Sequence, residues 1–337
     1  MNQQRHRTAV LIVTLAVLLV SFGWAHAQET AASTSVNIAK IFAGDTPDNV
    51  ADLKAMEAHI KALTAKVTPS TVGVQVGNAQ GSGVIVSRDG YVLTAAHVSG
   101  KPGRDVTIIL HDGRTVQGKT LGLNREIDAG LMKITTAGNW PFLQMGDSSK
   151  LKDGQWIIGT GHPNGYQSGR KPVLRLGRVL ANHASVIVTD CTLVSGDSGG
   201  PLFDMDGKVI GIHSRIDSPL TSNMHVPANT YKETWDRLID GEEWGWQPGR
   251  GPYIGVQGDP DAEDATVAHV YQGTPAAKAG IKSGDVIQSF DGKRVENFPM
   301  LAEFVRNKKP GDVVKIQVLR GERTVTLDVI IGRRGRE

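Results

Sequence analysis

The 337-residue chain holds 40 Gly and 15 Pro, with 39% hydrophobic, 21% charged and 5% aromatic residues. That length gives about two domains at roughly 100–200 residues each, and the composition excludes a collagen-like, largely disordered or multi-spanning membrane protein. One cysteine, Cys191, excludes an intrachain disulfide framework, and a charge of +3, falling to +1 without residues 1–27, gives no pointer to nucleic acid.

Arg5 and Arg7 precede an uncharged apolar stretch, Thr8–Trp24, and Ala25-His26-Ala27 adds a small-x-small cleavage pattern. This is the layout of a secretory signal peptide, residues 1–27. The rival is a membrane anchor through residues 8–24, but those 17 residues sit at the short limit of the ~17–25 needed to span a bilayer. Export is expected, and the lack of paired cysteines fits a bacterial periplasm or cell envelope. Residues 28–67 form an N-terminal segment. Thr46-Pro47 reads as an N-cap with proline at the first helical position, and Val50, Leu53, Ile60 and Leu63 recur at helical spacing up to about Lys66.

From residue 68 to 240 the texture is short β-branched runs between Gly, Asp-Gly and Asn turns. Strands are predicted at Thr71–Val76, Gly83–Ser87, Tyr91–Thr94, Asp105–Leu110, Thr115–Leu121 and Leu131–Ile134, then at Gln155–Gly159, Val173–Val179, Ser185–Thr189, Leu202–Phe203 and Val209–Ile212. No helical pattern intervenes, which predicts a sandwich or barrel. Ala228–Ile239 reads as a closing helix, and 241–250, rich in Gly and charge, as a linker. Residues 251–335 form a small α+β module. Its strands are Tyr253–Val256, Val267–Tyr271, Asp285–Phe290, Val313–Leu319 and Thr324–Ile331, and its helices Pro275–Ala279 and Phe298–Arg306.

Three signatures stand in the order His, Asp, Ser. His97 ends Thr94-Ala95-Ala96-His97, Asp128 precedes a strand, and Ser198 lies in Gly196-Asp197-Ser198-Gly199-Gly200-Pro201. A serine hydroxyl becomes a nucleophile when an imidazole accepts its proton, and a carboxylate must hold that imidazole in the right tautomer. The oxyanion then needs main-chain donors, which a glycine-bounded turn can aim; the expected ones are the amides of Gly196 and Ser198. Each residue alone reads as structural, but the ordered set reads as His97 base, Asp128 orienter and Ser198 nucleophile. There is no His-Glu-x-x-His, so no metal or other cofactor is expected. His162 reads as a solvated loop histidine, Cys191 as a small buried hydrophobe, and Asp197 as a turn cap.

The stretch resembles trypsin-like serine proteases, and residues 66–335 look like the HtrA (Deg) family of envelope proteases. The matching segments are Gly81–Thr94, Gly196–Leu202 and Asp206–Ile212, with Tyr253–Val256 and Gly273–Ile287 similar to that family's PDZ domain. The resemblance implies a mostly β fold: a trypsin-like double β-barrel at 68–240 followed by a PDZ domain at 251–335. It also implies unfolded or damaged envelope proteins as substrates, a homotrimer or a multiple of one, and peptide C-termini held by Tyr253, Ile254, Gly255 and Val256 through main-chain amides and strand addition.

Some residues depart from the family. Asp197 replaces Asn; in trypsin-like zymogens an Asp here pairs with a newly cut N-terminus, yet no such site is evident near the first strand. Val194-Ser195 replaces Asn-Pro, and Ala95-Ala96 replaces Asn-Asn. For specificity, Thr192 stands where trypsins that cut after Lys or Arg carry an acid, so a basic preference is not expected. A small aliphatic pocket is implied, with Leu193 and the strand His213-Ser214-Arg215-Ile216 beside the substrate. Two alternatives stay open at this level: a catalytically silent PDZ-bearing chaperone or adaptor, and a narrow processing protease.

Overall fold

A computed structural model of the chain describes residues 38–216, 221–247 and 249–335. The expected signal peptide, residues 1–27, lies outside the described residues. Among those described, no helix is long and apolar enough to cross a membrane.

The first barrel is built from β1 (Thr71–Val76), β2 (Ala79–Ile85), β3 (Tyr91–Ala95), β4 (Asp105–Ile109), β5 (Thr115–Asn124) and β6 (Ala129–Ile134). Its strand order is β5-β4-β1-β2-β3-β6, closed by pairing of β5 with β6. The second barrel uses β7 (Trp156–Gly161), β8 (Val173–His183), β9 (Val186–Thr189), β10 (Pro201–Phe203), β11 (Val209–Ile216) and β12 (Asn223–Pro227), closed in the order β10-β11-β12-β9-β8-β7. Closure removes free strand edges. Strand β12 escaped the sequence because Asn223, His225 and Pro227 interrupt its apolar run; the barrel nevertheless buries most of it.

Each barrel fills its own interior, with Val74, Val92, Ile108 and Met132 in the first and Ile157, Ile187, Leu202 and Ile210 in the second. A third cluster joins their outer faces: Val84, Leu93 and Leu131 from one barrel pack with Ile158, Phe203 and Ile212 from the other. Strands buried on both faces read as continuous rather than alternating apolar runs, which is why β3 and β6 carry so few polar residues.

The N-terminal helix begins later than predicted. After α1 (Ile38–Phe42), α2 spans Val50–Val67, and its N-cap is Asn49, whose side chain accepts from the Asp52 amide, not Thr46. The Asp52 carboxylate accepts in return from the Asp48 amide at 2.9 Å, so reciprocal capping fixes the start. The buried face is also different. Met56, Leu63 and Val67 face the barrels, whereas Val50 and Leu53 are exposed.

Beyond α3 (Ala96–Ser99), the closing helix divides at Thr234 into α4 (Ala228–Glu233) and α5 (Trp235–Ile239). Helix α5 lies so close to β5 that a Cβ on Gly122 would stand 2.7 Å from the Leu238 backbone. The expected linker is partly ordered onto the sheet of the first barrel: β13 (Glu243–Trp244) pairs in parallel with β5, because the turn after α5 delivers it alongside Leu123 and Asn124.

The C-terminal module has β14 (Pro252–Tyr253), β15 (Val256–Gly258), β16 (Val267–Val270), α6 (Pro275–Ala279), β17 (Val286–Phe290), β18 (Lys293–Arg294), α7 (Phe298–Arg306), β19 (Val313–Arg320), β20 (Arg323–Ile330) and β21 (Gly332–Arg333). Tyr253–Val256 is therefore not one strand. Gly255 has φ +85° and breaks it, and a Cβ there would stand 2.2 Å from the Thr274 side chain.

Candidate active site

Strand β3 ends at Ala95 and hands the chain to the single turn α3, which presents His97 at the barrel interface. Asp128 closes the β5–β6 turn with φ 66°, a left-handed backbone that Asp tolerates because its short side chain bonds locally. Its Oδ1 accepts from the His97 amide at 2.9 Å, and its Oδ2 lies 2.8 Å from His97 Nδ1. A carboxylate there favours the proton on Nδ1, leaving Nε2 as the basic nitrogen. The Asp128 side chain is 14% exposed and that of His97 is 42%, so the orienting carboxylate is shielded while the imidazole meets solvent.

Ser214 completes this arrangement. Its hydroxyl donates to Asp128 Oδ2 at 2.6 Å. The β11–β12 register shifts between His213 and Arg215, and this bulge re-aims the Ser214 side chain toward the other barrel. Sequence reasoning placed Ser214 only beside the substrate; the bulge has no local sequence signal.

The Gly196–Pro201 turn, which carries Ser198, crosses from the second barrel to the first. Ser82 in β2 holds it: its amide donates to Ser198 O at 2.8 Å and its hydroxyl to Gly196 O at 2.9 Å. The same hydroxyl accepts from the His162 amide at 2.9 Å. Gly199 has φ +84°, and a Cβ there would stand 2.2 Å from Thr94 Oγ1 and 2.3 Å from Ser82 O. Only glycine lets the turn press this closely against β2 and against β3, the strand that leads into His97. The Asp197, Gly199 and Gly200 amides donate to Val194 O, His213 O and Asp197 O. Among the described residues, the amides of Gly196 and Ser198 donate to nothing, and Ser198 Oγ makes no hydrogen bond to His97. Catalytic hydrogen bonds often tighten only when substrate arrives.

Asp197 caps its turn, accepting from the Val194 amide at 2.9 Å, and also has a charged partner invisible to the sequence, Arg175 of β8, at 2.8 Å. Of the expected pocket residues, Leu193, His213 and Ser214 are buried, while Thr192, Arg215 and Ile216 are exposed. Beneath the strand a histidine pair is sealed in, with His213 Nδ1 3.0 Å from His225 Nδ1, and His225 Nε2 2.7 Å from Thr189 Oγ1. Burial pushes His225 down to about 3 and His213 well below the ordinary histidine value. His162 is not the solvated loop residue expected; it is fully buried, which pushes it down to about 4. Cys191 is buried and its thiol is pushed up to about 12, mainly by desolvation, so it is inert.

In the C-terminal module, Tyr253, Ile254, Gly255 and Val256 line a cavity of about 410 Å³ together with Phe298 and Leu301 of α7. The Ile254 and Gly255 carbonyls accept from the Ala276 and Tyr271 amides. Among the described residues, the amides of Ile254 and Gly255 donate to nothing. Among the described residues, strand β15 pairs only with β16, leaving its other edge open.

Residues 81–212 match the family described as Trypsin-like peptidase domain, and residues 252–331 match PDZ domain. A probable periplasmic serine endoprotease DegP-like from Bartonella henselae is 32% identical over 271 residues, covering 74% of this chain and 52% of the relative. One from Halomonas elongata is 35% identical over 266 residues, covering 74% and 56%. The chain thus spans about half the length of the curated relatives it matches. Among solved structures, the HtrA-type protease AlgW with tripeptide is 26% identical with a TM-score of 0.55, covering 82% of this chain and 98% of that one. The serine endoprotease from Yersinia pestis shares the fold at 24% identity and a TM-score of 0.57, covering 86% and 99%. A trypsin-like peptidase domain followed by a PDZ domain, on a fold shared along most of its length, makes this chain a member of the HtrA/Deg family.

Proposed function

We propose that the chain is an exported serine endopeptidase whose nucleophile is Ser198. His97 Nε2 takes the hydroxyl proton as Oγ attacks the scissile carbonyl, and it returns that proton to the departing amine. Asp128 keeps the imidazole in the competent tautomer, and the Gly196 and Ser198 amides receive the oxyanion. Water then hydrolyses the acyl-enzyme by the same route in reverse. The observation that carries this reading is the Ser214–Asp128–His97 hydrogen-bond chain beside a turn with two undonated amides.

The substrates in this reading are unfolded or damaged envelope proteins, with small aliphatic side chains in a pocket flanked by Thr192, Leu193 and the 213–216 strand. The C-terminal module captures peptide C-termini: the Tyr253–Val256 loop supplies amides for the carboxylate, and the open edge of β15 accepts an added strand. The periplasm follows from the names of the relatives, and a homotrimer from the family resemblance. A fluorophosphonate probe tests the chemistry. Labelling at Ser198 that is lost in Ser198→Ala supports the endopeptidase. A folded chain that stays unlabelled, with and without C-terminal peptides, is instead a silent adaptor. Cleavage of one partner alone, with denatured proteins untouched, marks a processing protease.

A further inference from the structure

The residue before Ser198 is an acid with no exposed surface. A carboxylate buried this way must be matched by hydrogen bonds and a counter-charge. Asp197 has both. Arg175 grips it with two nitrogens, Nη2 to Oδ2 at 2.8 Å and Nη1 to Oδ1 at 3.2 Å, the forked geometry that makes such pairs strong and directional. The Arg175 side chain is 17% exposed and is carried by β8, opposite Gly159 of β7. The neighbouring wall has been cleared for the acid, since a Cβ on Gly161 would stand 2.6 Å from Asp197 Oδ1. A second cation, Arg170, also acts on the carboxylate, but its Nη2 donates to the carbonyls of Pro163 and Gly165.

The rest of the turn is fixed from outside. Asn164 N–H donates to Ser195 O at 2.6 Å and Ser82 Oγ to Gly196 O at 2.9 Å. Asp197 lies between these anchors and Ser198, so the Arg175 pair adds a side-chain anchor at the residue that joins the peptide of the Gly196 carbonyl to the peptide of the Ser198 amide. Burial pushes the Asp197 carboxyl up, and Arg175 opposes that push.

We propose that Arg175 is the resident counter-cation of the nucleophile turn, a positioning residue that holds the Gly196 and Ser198 amides in the arrangement that receives an oxyanion. The inference rests on the serine-hydrolase reading of Ser198. It makes the turn's competence a property of β8, with no proteolytic cut needed to supply a cationic N-terminus.

The test uses the full chain with Arg175→Gln, Arg175→Lys, Asp197→Asn and the double variant Arg175→Gln/Asp197→Asn. The readouts are the fluorophosphonate labelling rate at Ser198, kcat and KM on fluorescently labelled unfolded casein, and the thermal midpoint. Loss of an oxyanion donor costs about 10²–10³ in kcat, and Arg175→Gln is expected to reduce labelling and kcat on the order of 10²-fold with KM within about threefold. Arg175→Lys restores part of that loss. The double variant replaces the ion pair by two neutral amides and recovers to within about tenfold of the wild type. Wild-type labelling in Arg175→Gln, or losses that track only the unfolded fraction, overturns the proposal. If Arg175→Gln does not fold, a folded double variant decides: recovered labelling supports the proposal and absent labelling overturns it. An unlabelled wild type would instead overturn the hydrolase reading beneath it.

Discussion

Asp128 shows how much one residue can hold. Its positive φ turns the chain between β5 and β6, and its two oxygens serve the His97 amide, the His97 ring and Ser214 together. Asp128→Asn keeps the size and most of the contacts but presents an amide to Nδ1, which favours the wrong imidazole tautomer. The expected result is a fall in kcat of about 10³–10⁴-fold with little change in thermal midpoint. A comparable loss of folded protein would make Asp128 a structural turn residue. His97, Asp128 and Ser198 stand out as candidates in the sequence because their residue types and flanks sit in short local signatures. Ser82, Ser214 and Arg175 do not, because each acts through a partner more than 20 positions away.

Helix α2 illustrates how an element can be legible while its face is not. Apolar residues stand on several sides of it, so spacing alone could not choose among them; packing on the Asp204–Gly207 turn of the second barrel did. His59 Nε2 lies 2.8 Å from Met205 O, and Lys66 donates to Asp206 O. Leu63 is 4% exposed and Leu53 is 55%. Leu63→Ala should therefore cost about 2–4 kcal/mol in urea unfolding, whereas Leu53→Ala should stay within about 0.5 kcal/mol; equal costs would mean that the opposite face is covered. The Gly255 break in the Tyr253–Val256 segment is likewise a matter of element geometry. Gly255→Ala forces a Cβ into Thr274 at a left-handed backbone position, so it should abolish binding of a free-carboxylate peptide, followed by fluorescence polarisation. It should leave Ser198 labelling by a small fluorophosphonate unchanged. Retained peptide affinity would remove this loop from the binding site.

At the scale of the whole molecule, the two barrels bury His162, His213 and His225 without charge, all three shifted down chiefly by desolvation. The unfolded chain protonates its histidines near pH 6.5, while the folded one resists until about 4 for His162 and about 3 for His225. Between those values the unfolded state binds more protons, so stability is complete above about pH 7 and falls as pH drops through 6.5. The slope should approach 1.4 kcal/mol per pH unit for each such histidine, about three times that if all three behave alike. Urea midpoints from pH 7.5 to 5 measure it, and a flat profile would mean that these rings are protonated or exposed. The carboxylates held below their ordinary range, such as Asp285 beside Arg320 and Asp291 beside Lys308, add their own loss only at lower pH.

The sequence by itself determined the strand-rich texture, the helices Pro275–Ala279 and Phe298–Arg306, and the three residues whose chemistry defines the candidate site. Turn glycines, β-branched runs and capping residues act within a few positions, so a linear reading captures them. Only the tertiary structure decided which α2 face is buried, why Ser214 reaches Asp128 and what neutralises Asp197. Those answers depend on barrel closure and on strand register, which bring residues far apart in the chain to hydrogen-bonding distance.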